Sequence, residues 1–137
     1  MIMRHFWIGI ICLIAFSSCE KDEFLPFELT AEGIVGEWEL YQFQGNTGAD
    51  DYRTPYEPSG ITITFLANGK LKSEKFFGCT DGEYQVADRN LTVFLDCEGE
   101  VSEKSYFLKR ENADLVMHPK APYMCIEGCS LIFKKIN

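Results

Sequence analysis

From residue 36 onward apolar and polar side chains alternate with period two, and no stripe at helical spacing lasts beyond a turn or so. Period two puts successive side chains on opposite faces of a strand, so the pattern predicts an all-β domain. Eight strands are expected, at residues 36–44, 60–66, 70–77, 82–87, 91–96, 103–109, 113–118 and 130–136. Three joints carry hairpin turn chemistry: Ala67-Asn68-Gly69, Asp88-Arg89-Asn90 and Arg110-Glu111-Asn112. One face is consistently apolar, with Trp38 and Leu40; Ile61, Ile63 and Phe65; Leu71; Tyr84 and Val86; Leu91, Val93 and Leu95; Tyr106 and Leu108; Leu115 and Met117; Leu131 and Phe133. That face is the expected core.

Connection lengths add topology. The three tight turns share one end of an up-and-down meander, while residues 45–59, 78–81, 97–102 and 119–129 collect at the other end, the mouth. Eight antiparallel strands so arranged predict a closed barrel, because closure removes the edges an open meander would leave. An eight-stranded barrel is just wide enough to be filled by its own side chains or to hold one small ligand. The expected function is to hold such a ligand at the membrane surface, with the filled barrel as the alternative. In the ligand reading, Phe65, Tyr84, Val93, Tyr106, Met117 and Phe133 line the interior, and Tyr52, Tyr56, Tyr123 and Met124 build the mouth around a small apolar or amphipathic molecule. In the filled reading the barrel is a structural or protein-interaction module with no pocket.

The first eighteen residues stand apart. Arg4 and His5 precede an apolar run from Phe6 to Phe16, the layout of a secretory signal, and the run is shorter than the ~20 residues of a permanent span. Phe16-Ser17-Ser18-Cys19 resembles the bacterial lipobox, which implies lipidation of Cys19 and attachment to the cell envelope, at the outer membrane. An ordinary signal peptide cut nearby is the alternative. The expected organisation is a signal peptide at residues 1–18, a lipidated tether and N-terminal segment at 19–33, and the barrel at 34–137. Glu20, Lys21, Asp22 and Glu23 resemble the acidic tag that follows the lipidated cysteine in some surface-exposed bacterial lipoproteins, or act as a solvated tether.

Charge narrows the partners. The 137 residues hold 13 Lys and Arg against 21 Asp and Glu; without the signal peptide's Arg4, 12 bases face the same 21 acids, a net of −9. No basic stripe occurs, and this argues against nucleic acid as a partner, since phosphate binding needs a basic surface. Beyond Cys12 and Cys19, four cysteines remain, which in an exported domain read as two disulfides. Cys79 closes the third strand and Cys97 the fifth, two strands apart at about 4.8 Å each. Cys79 is therefore paired with Cys97, and Cys125 with Cys129 within the last loop. A zinc site using these thiols and His118 is the rival, although Cys-x3-Cys and a distant pair lack the usual short double spacing.

The segment Ile34-Val35-Gly36-Glu37-Trp38-Glu39-Leu40 resembles the G-x-W opening of lipocalins, and Gly36 and Trp38 would then close the barrel base. Ile63-Thr64-Phe65 with Asn68-Gly69, Gly82-Glu83-Tyr84-Gln85-Val86, Asn90-Leu91-Thr92-Val93, Leu115-Val116-Met117 and Leu131-Ile132-Phe133-Lys134-Lys135 are similar in order and spacing to bacterial lipocalin-like lipoproteins. Phe77-Gly78-Cys79, Gly82-Glu83-Tyr84, Leu91 and Cys97 are similar to the META domain, a small exported β-domain, which implies a filled core.

No cofactor, metal or catalytic residue is expected. His118 is the single histidine after the signal peptide and reads as a surface residue at a strand end. Asp50, Asp51 and Glu57 lack the spacing of a calcium loop. Asn90-Leu91-Thr92 matches a glycosylation acceptor, but a turn Asn opening a strand accounts for it. On the outer face Tyr41, Phe43, Ile132 and Ile136 are expected to form an apolar patch across the barrel seam, a partner surface or one covered by Phe24, Leu25, Phe27 and Leu29.

Overall fold

The computed structural model describes residues 27–46, 51–55, 59–120 and 128–137. Nine strands are present among them: β1 (Gly36–Asn46), β2 (Asp51–Pro55), β3 (Thr62–Phe65), β4 (Lys70–Glu74), β5 (Asp81–Ala87), β6 (Asn90–Cys97), β7 (Glu100–Glu111), β8 (Asp114–Pro119) and β9 (Cys129–Lys135). All pairings are antiparallel. Strands β1 and β3 to β9 follow one another round the sheet, and a β1–β9 pairing closes it into the expected eight-stranded barrel.

The ninth strand is the addition. Only Gly36–Glu39 of β1 pair with β3, so the far half of β1 would be open on that side. β2 fills it, opposing Gln42–Asn46, within a segment expected to be loop. Its sequence, Asp-Tyr-Arg-Thr-Pro, has no apolar alternation to announce it, and a terminal proline suits an edge position.

Three other details differ from the sequence expectation. The joint between β6 and β7 is a two-residue turn, not a loop over 97–102: Cys97 pairs with Glu100, and Glu98 and Gly99 have φ of 56° and 88°, the left-handed pair that a type I′ hairpin requires. The turn expected at 110–112 lies further on, between Glu111 and Asp114, with Asn112 left-handed at φ 56°. A β-bulge at Tyr41 resets the alternation of β1. Leu40 opposes Phe133 before it, and Phe43 opposes Leu131 after it, so Phe43 lies on the inner face rather than the outer one.

The expected seam patch is accordingly broken up. Tyr41 and Ile136 are 40% and 45% exposed, with the Lys134 ammonium 4.3 Å from the Tyr41 ring centre, while Ile132 is buried. Phe27 and Leu29 pack on the core at the base instead of covering the seam; Phe24 and Leu25 lie outside the described residues.

The base is sealed by the residues ahead of β1. Thr30 caps a single turn, its hydroxyl accepting from the Gly33 amide at 3.0 Å and its carbonyl from Ile34 at 3.1 Å. That turn presses Ile34, fully buried, under Trp38, whose Nε1 donates to the Ile34 carbonyl at 2.9 Å. The Phe27 ring meets Trp38 edge-on at 5.0 Å between centres, and Arg110 donates to the Phe27 carbonyl at 2.9 Å. Gly36 is required by the chain end: at φ 141° it lies so close to the last residue that a Cβ would sit 2.6 Å from the Asn137 carbonyl oxygen.

Candidate functional site

The barrel interior is where the sequence placed a ligand. The structure brings Phe65, Tyr84, Val93, Tyr106, Met117 and Phe133 together there, and none is more than 7% exposed. Phe65 and Tyr84 form an edge-to-face pair at 4.9 Å. Tyr84 donates its hydroxyl to the carbonyls of Leu66 and Ala31, at 2.8 and 3.2 Å, tying the barrel wall to the sealing turn. Burial, and then the Glu32 carboxylate, raise its pKa above the ordinary phenol value. Burial alone pushes Tyr106 up to about 12. Both phenols are neutral at physiological pH, and the Tyr84 hydroxyl is held by its two carbonyl partners. Of the proposed mouth residues, Tyr56, Tyr123 and Met124 and the side chain of Tyr52 lie outside the described residues.

Burial decides what the interior can hold. A void wide enough for one water would leave exposed area on its walls. Ile63, Leu91, Val93, Leu108, Leu115, Met117 and Phe133 expose none. The mouth side is stoppered by Phe76 and Phe77, which stack edge-on at 4.6 Å; Phe76 meets Phe133 at 5.5 Å and Phe77 meets Tyr106 at 6.4 Å. The alternation extends the preceding strand through both of them to residue 77, whereas the strand stops at Glu74. The signal was available: adjacent phenylalanines cannot both face inward on a strand, so the chain must leave β geometry to bury both. It does so at Lys75, whose φ is 63°.

One interior group is unsatisfied. Ser73 is 2% exposed and its hydroxyl has no hydrogen-bond partner. An orphaned buried hydroxyl costs about 1–3 kcal/mol, so Ser73→Ala is expected to raise the urea midpoint with the m-value unchanged. A drop in midpoint would show that the hydroxyl finds a partner in solution.

Cys79 and Cys97 form a disulfide across the mouth, with a Cα separation of 5.5 Å. Two thiols of the alternative zinc site are thereby used, and no group of three or more metal-ligating side chains occurs among the described residues. Cys129 is disulfide-bonded; its expected partner, Cys125, lies outside the described residues. Cys19 lies outside them as well.

His118 is on the outer wall, half-buried rather than on open surface. Its Nδ1 is 2.9 Å from the Ser130 hydroxyl and 3.3 Å from the Cys129 carbonyl, joining β8 to β9, while Nε2 is buried without a partner. Desolvation, opposed by the Cys129 carbonyl and aided by Lys109, lowers its pKa below the ordinary 6.5. The folded state then binds fewer protons than the unfolded chain as pH falls through 6.5, so stability present above that pH is lost below it. Urea unfolding at pH 7.5 and 5.5 is expected to show this loss, and His118→Gln is expected to reduce it; an unchanged slope in the variant would place the effect elsewhere.

Grooves on the outside, among the described residues, include three. One, of about 550 Å³, is lined by Lys70, Asp81, Gly82, Glu83, Phe94, Leu95, Asp96 and Val101. A second, of about 530 Å³, shares Asp81 and Asp96 and runs along the disulfide to Glu98. The third, of about 440 Å³ at the base, includes Phe27, Arg89 and Arg110. No family model matches the chain, and no curated protein or solved structure does.

Proposed function

We propose that this chain is an exported, lipid-anchored β-barrel with a solid core, which acts through its outer surface as a structural or protein-interaction module of the bacterial envelope. The observation that carries the solid-core part is the absence of exposed area on seven interior residues. A carrier of an apolar molecule needs a cavity before the ligand arrives or a plug that leaves. Here the plug is two phenylalanines held against Phe133 and Tyr106 and followed at once by a disulfide cysteine. Export and lipidation rest on Phe16-Ser17-Ser18-Cys19 and on the cysteine usage, and the membrane is the partner they imply. Seven residues lie between Cys19 and Phe27, at the barrel base, a reach of at most ~30 Å. The base would therefore stand nearest the membrane and the mouth farthest from it. The reading assigns no catalytic step.

Native mass spectrometry of the full lipoprotein, purified in mild detergent from its own envelope, tests both halves. The expected mass is that of the acylated polypeptide alone, beginning at Cys19. A small molecule that co-purifies and is lost on unfolding would overturn the solid core in favour of the carrier. A start at any other residue would overturn the lipid anchor.

A further inference from the structure

The outer wall near the mouth carries a surface that the barrel itself does not use. Strand register sets its layout. Glu83 on β5, Phe94 on β6 and Glu103 on β7 lie in one cross-strand row, and Asp96 lies opposite Val101 in the next outward row. One step beyond the Gly82–Leu95 pair, Asp81 comes to the side of Asp96. Val101 is 76% exposed, well above Tyr41 and Ile136. With Phe94 it gives the larger groove its outward apolar side chains.

Around that lining acids outnumber bases. Asp81, Glu83, Asp96 and Glu98 line the two adjoining grooves, while β4 sets two bases beside them, Lys70 paired with Glu83 and Lys72 opposite Asp81, so carboxylates remain in excess on the β6 side at Asp96 and Glu98. Carboxylates side by side on neighbouring strands repel, and a β-branched residue held in water forgoes the burial that favours it. Neither choice helps the isolated barrel; both favour a basic partner with an apolar side chain. The surface is also braced. The Cys79–Cys97 disulfide runs beside the second groove, and Asp96 accepts from the Gly99 amide at 3.2 Å, holding the β6–β7 tip. A surface fixed in advance loses less entropy on docking.

We infer that the β5–β6–β7 face is the protein-docking surface of this chain, and that it takes a Lys- or Arg-rich polypeptide segment whose aliphatic or aromatic side chain seats on Phe94 and Val101. The inference rests on the solid-core reading and names its partner's chemistry. A divalent ion is a poorer occupant: no three metal-ligating side chains converge among the described residues, and an ion makes no use of the apolar lining. Anionic ligands and an anionic membrane are disfavoured by the excess of carboxylates over the two lysines.

The test uses the full lipoprotein in neutral detergent and a fluorescent six-residue peptide alternating lysine and valine, read by anisotropy at low salt with a detergent-only control. Val101→Ser, which alters no buried residue, and Asp81→Asn are each expected to weaken binding about tenfold. Glu28→Gln, which removes the same charge at the base, is expected to leave it unchanged, and a six-lysine peptide is expected to bind more weakly. Equal losses in Glu28→Gln and Asp81→Asn would reduce the effect to net charge and overturn the proposal. So would equal affinity for the six-lysine peptide, competition by calcium alone, or no binding at all. These outcomes leave the solid core standing, because that reading fails only on a co-purifying ligand.

Discussion

Replacing Trp38 with alanine is expected to lower the unfolding free energy by about 3–5 kcal/mol, the largest loss for any single side chain here. Trp38 is fully buried and is the largest side chain in the core. It fastens the sealing segment to the barrel, alongside the Tyr84–Ala31 and Arg110–Phe27 hydrogen bonds. Its inner face belongs to the barrel, while its indole N–H and ring edge hold Ile34 and Phe27 of the sealing segment. Alanine opens a cavity at the base and leaves the seal without its main contact. Hydrogen exchange should therefore quicken first at the Gly33 and Ile34 amides, which are protected by Thr30. Trp38→Phe separates the two contributions. It keeps most of the packing but removes the donor to the Ile34 carbonyl, for an expected loss of roughly 1–3 kcal/mol. If both variants unfolded at the wild-type denaturant concentration, the seal would contribute nothing to the fold.

Trp38 also shows where sequence reading succeeds. A barrel strand with one buried face prints its alternation directly, because every second residue must be apolar. This is why β5, β6 and β9 fall within a residue of where the pattern placed them, and why Phe65, Tyr84 and Phe133 were recognised as interior residues. Cys79 pairs with Cys97 as expected, but not because two strand spacings separate them, which would be too far for a disulfide. The strand stops at Glu74, and Cys79 lies just ahead of β5, the direct neighbour of β6, with a Cα separation of 5.5 Å. What the pattern conceals is anything that interrupts the period. The bulge at Tyr41 shifts the parity of β1 by one residue, so Phe43 was assigned to the wrong face although its strand was correctly placed. β2 contributes backbone hydrogen bonds without an apolar face, and so leaves no periodic trace. The filling of the interior was undecidable from strand residues alone, because the stopper comes from the β4–β5 connection and the seal from residues ahead of the first strand. Alternation describes the wall of a barrel but not its two ends, and the ends determine whether it can hold anything.

The mouth end gives the second large expected effect. Replacing both Cys79 and Cys97 with serine is expected to lower stability by about 3 kcal/mol, the loop-closure value for a link between residues 18 apart. The link lies in a region with few other restraints. β4 and β5 pair over only three residues, Lys70–Glu83, Leu71–Gly82 and Lys72–Asp81, before the chain leaves for Phe76 and Phe77. The Ser73 amide to the Thr80 carbonyl, at 2.8 Å, is the backbone bond that spans this connection. By contrast, the β6–β7 hairpin that carries Cys97 is held by an unbroken ladder from Asn90 to Cys97 and does not need the disulfide. Loss of the link should therefore act unevenly: exchange should quicken at Ser73 and through residues 76–80, while Asp96, Cys97 and Glu100 stay protected. A uniform change across both sides would mean that the bond acts solely on the unfolded chain. A change confined to residues 73–80 would mean that it also holds the stopper in place, and the double variant would then be the form in which the barrel first admits solvent from its mouth.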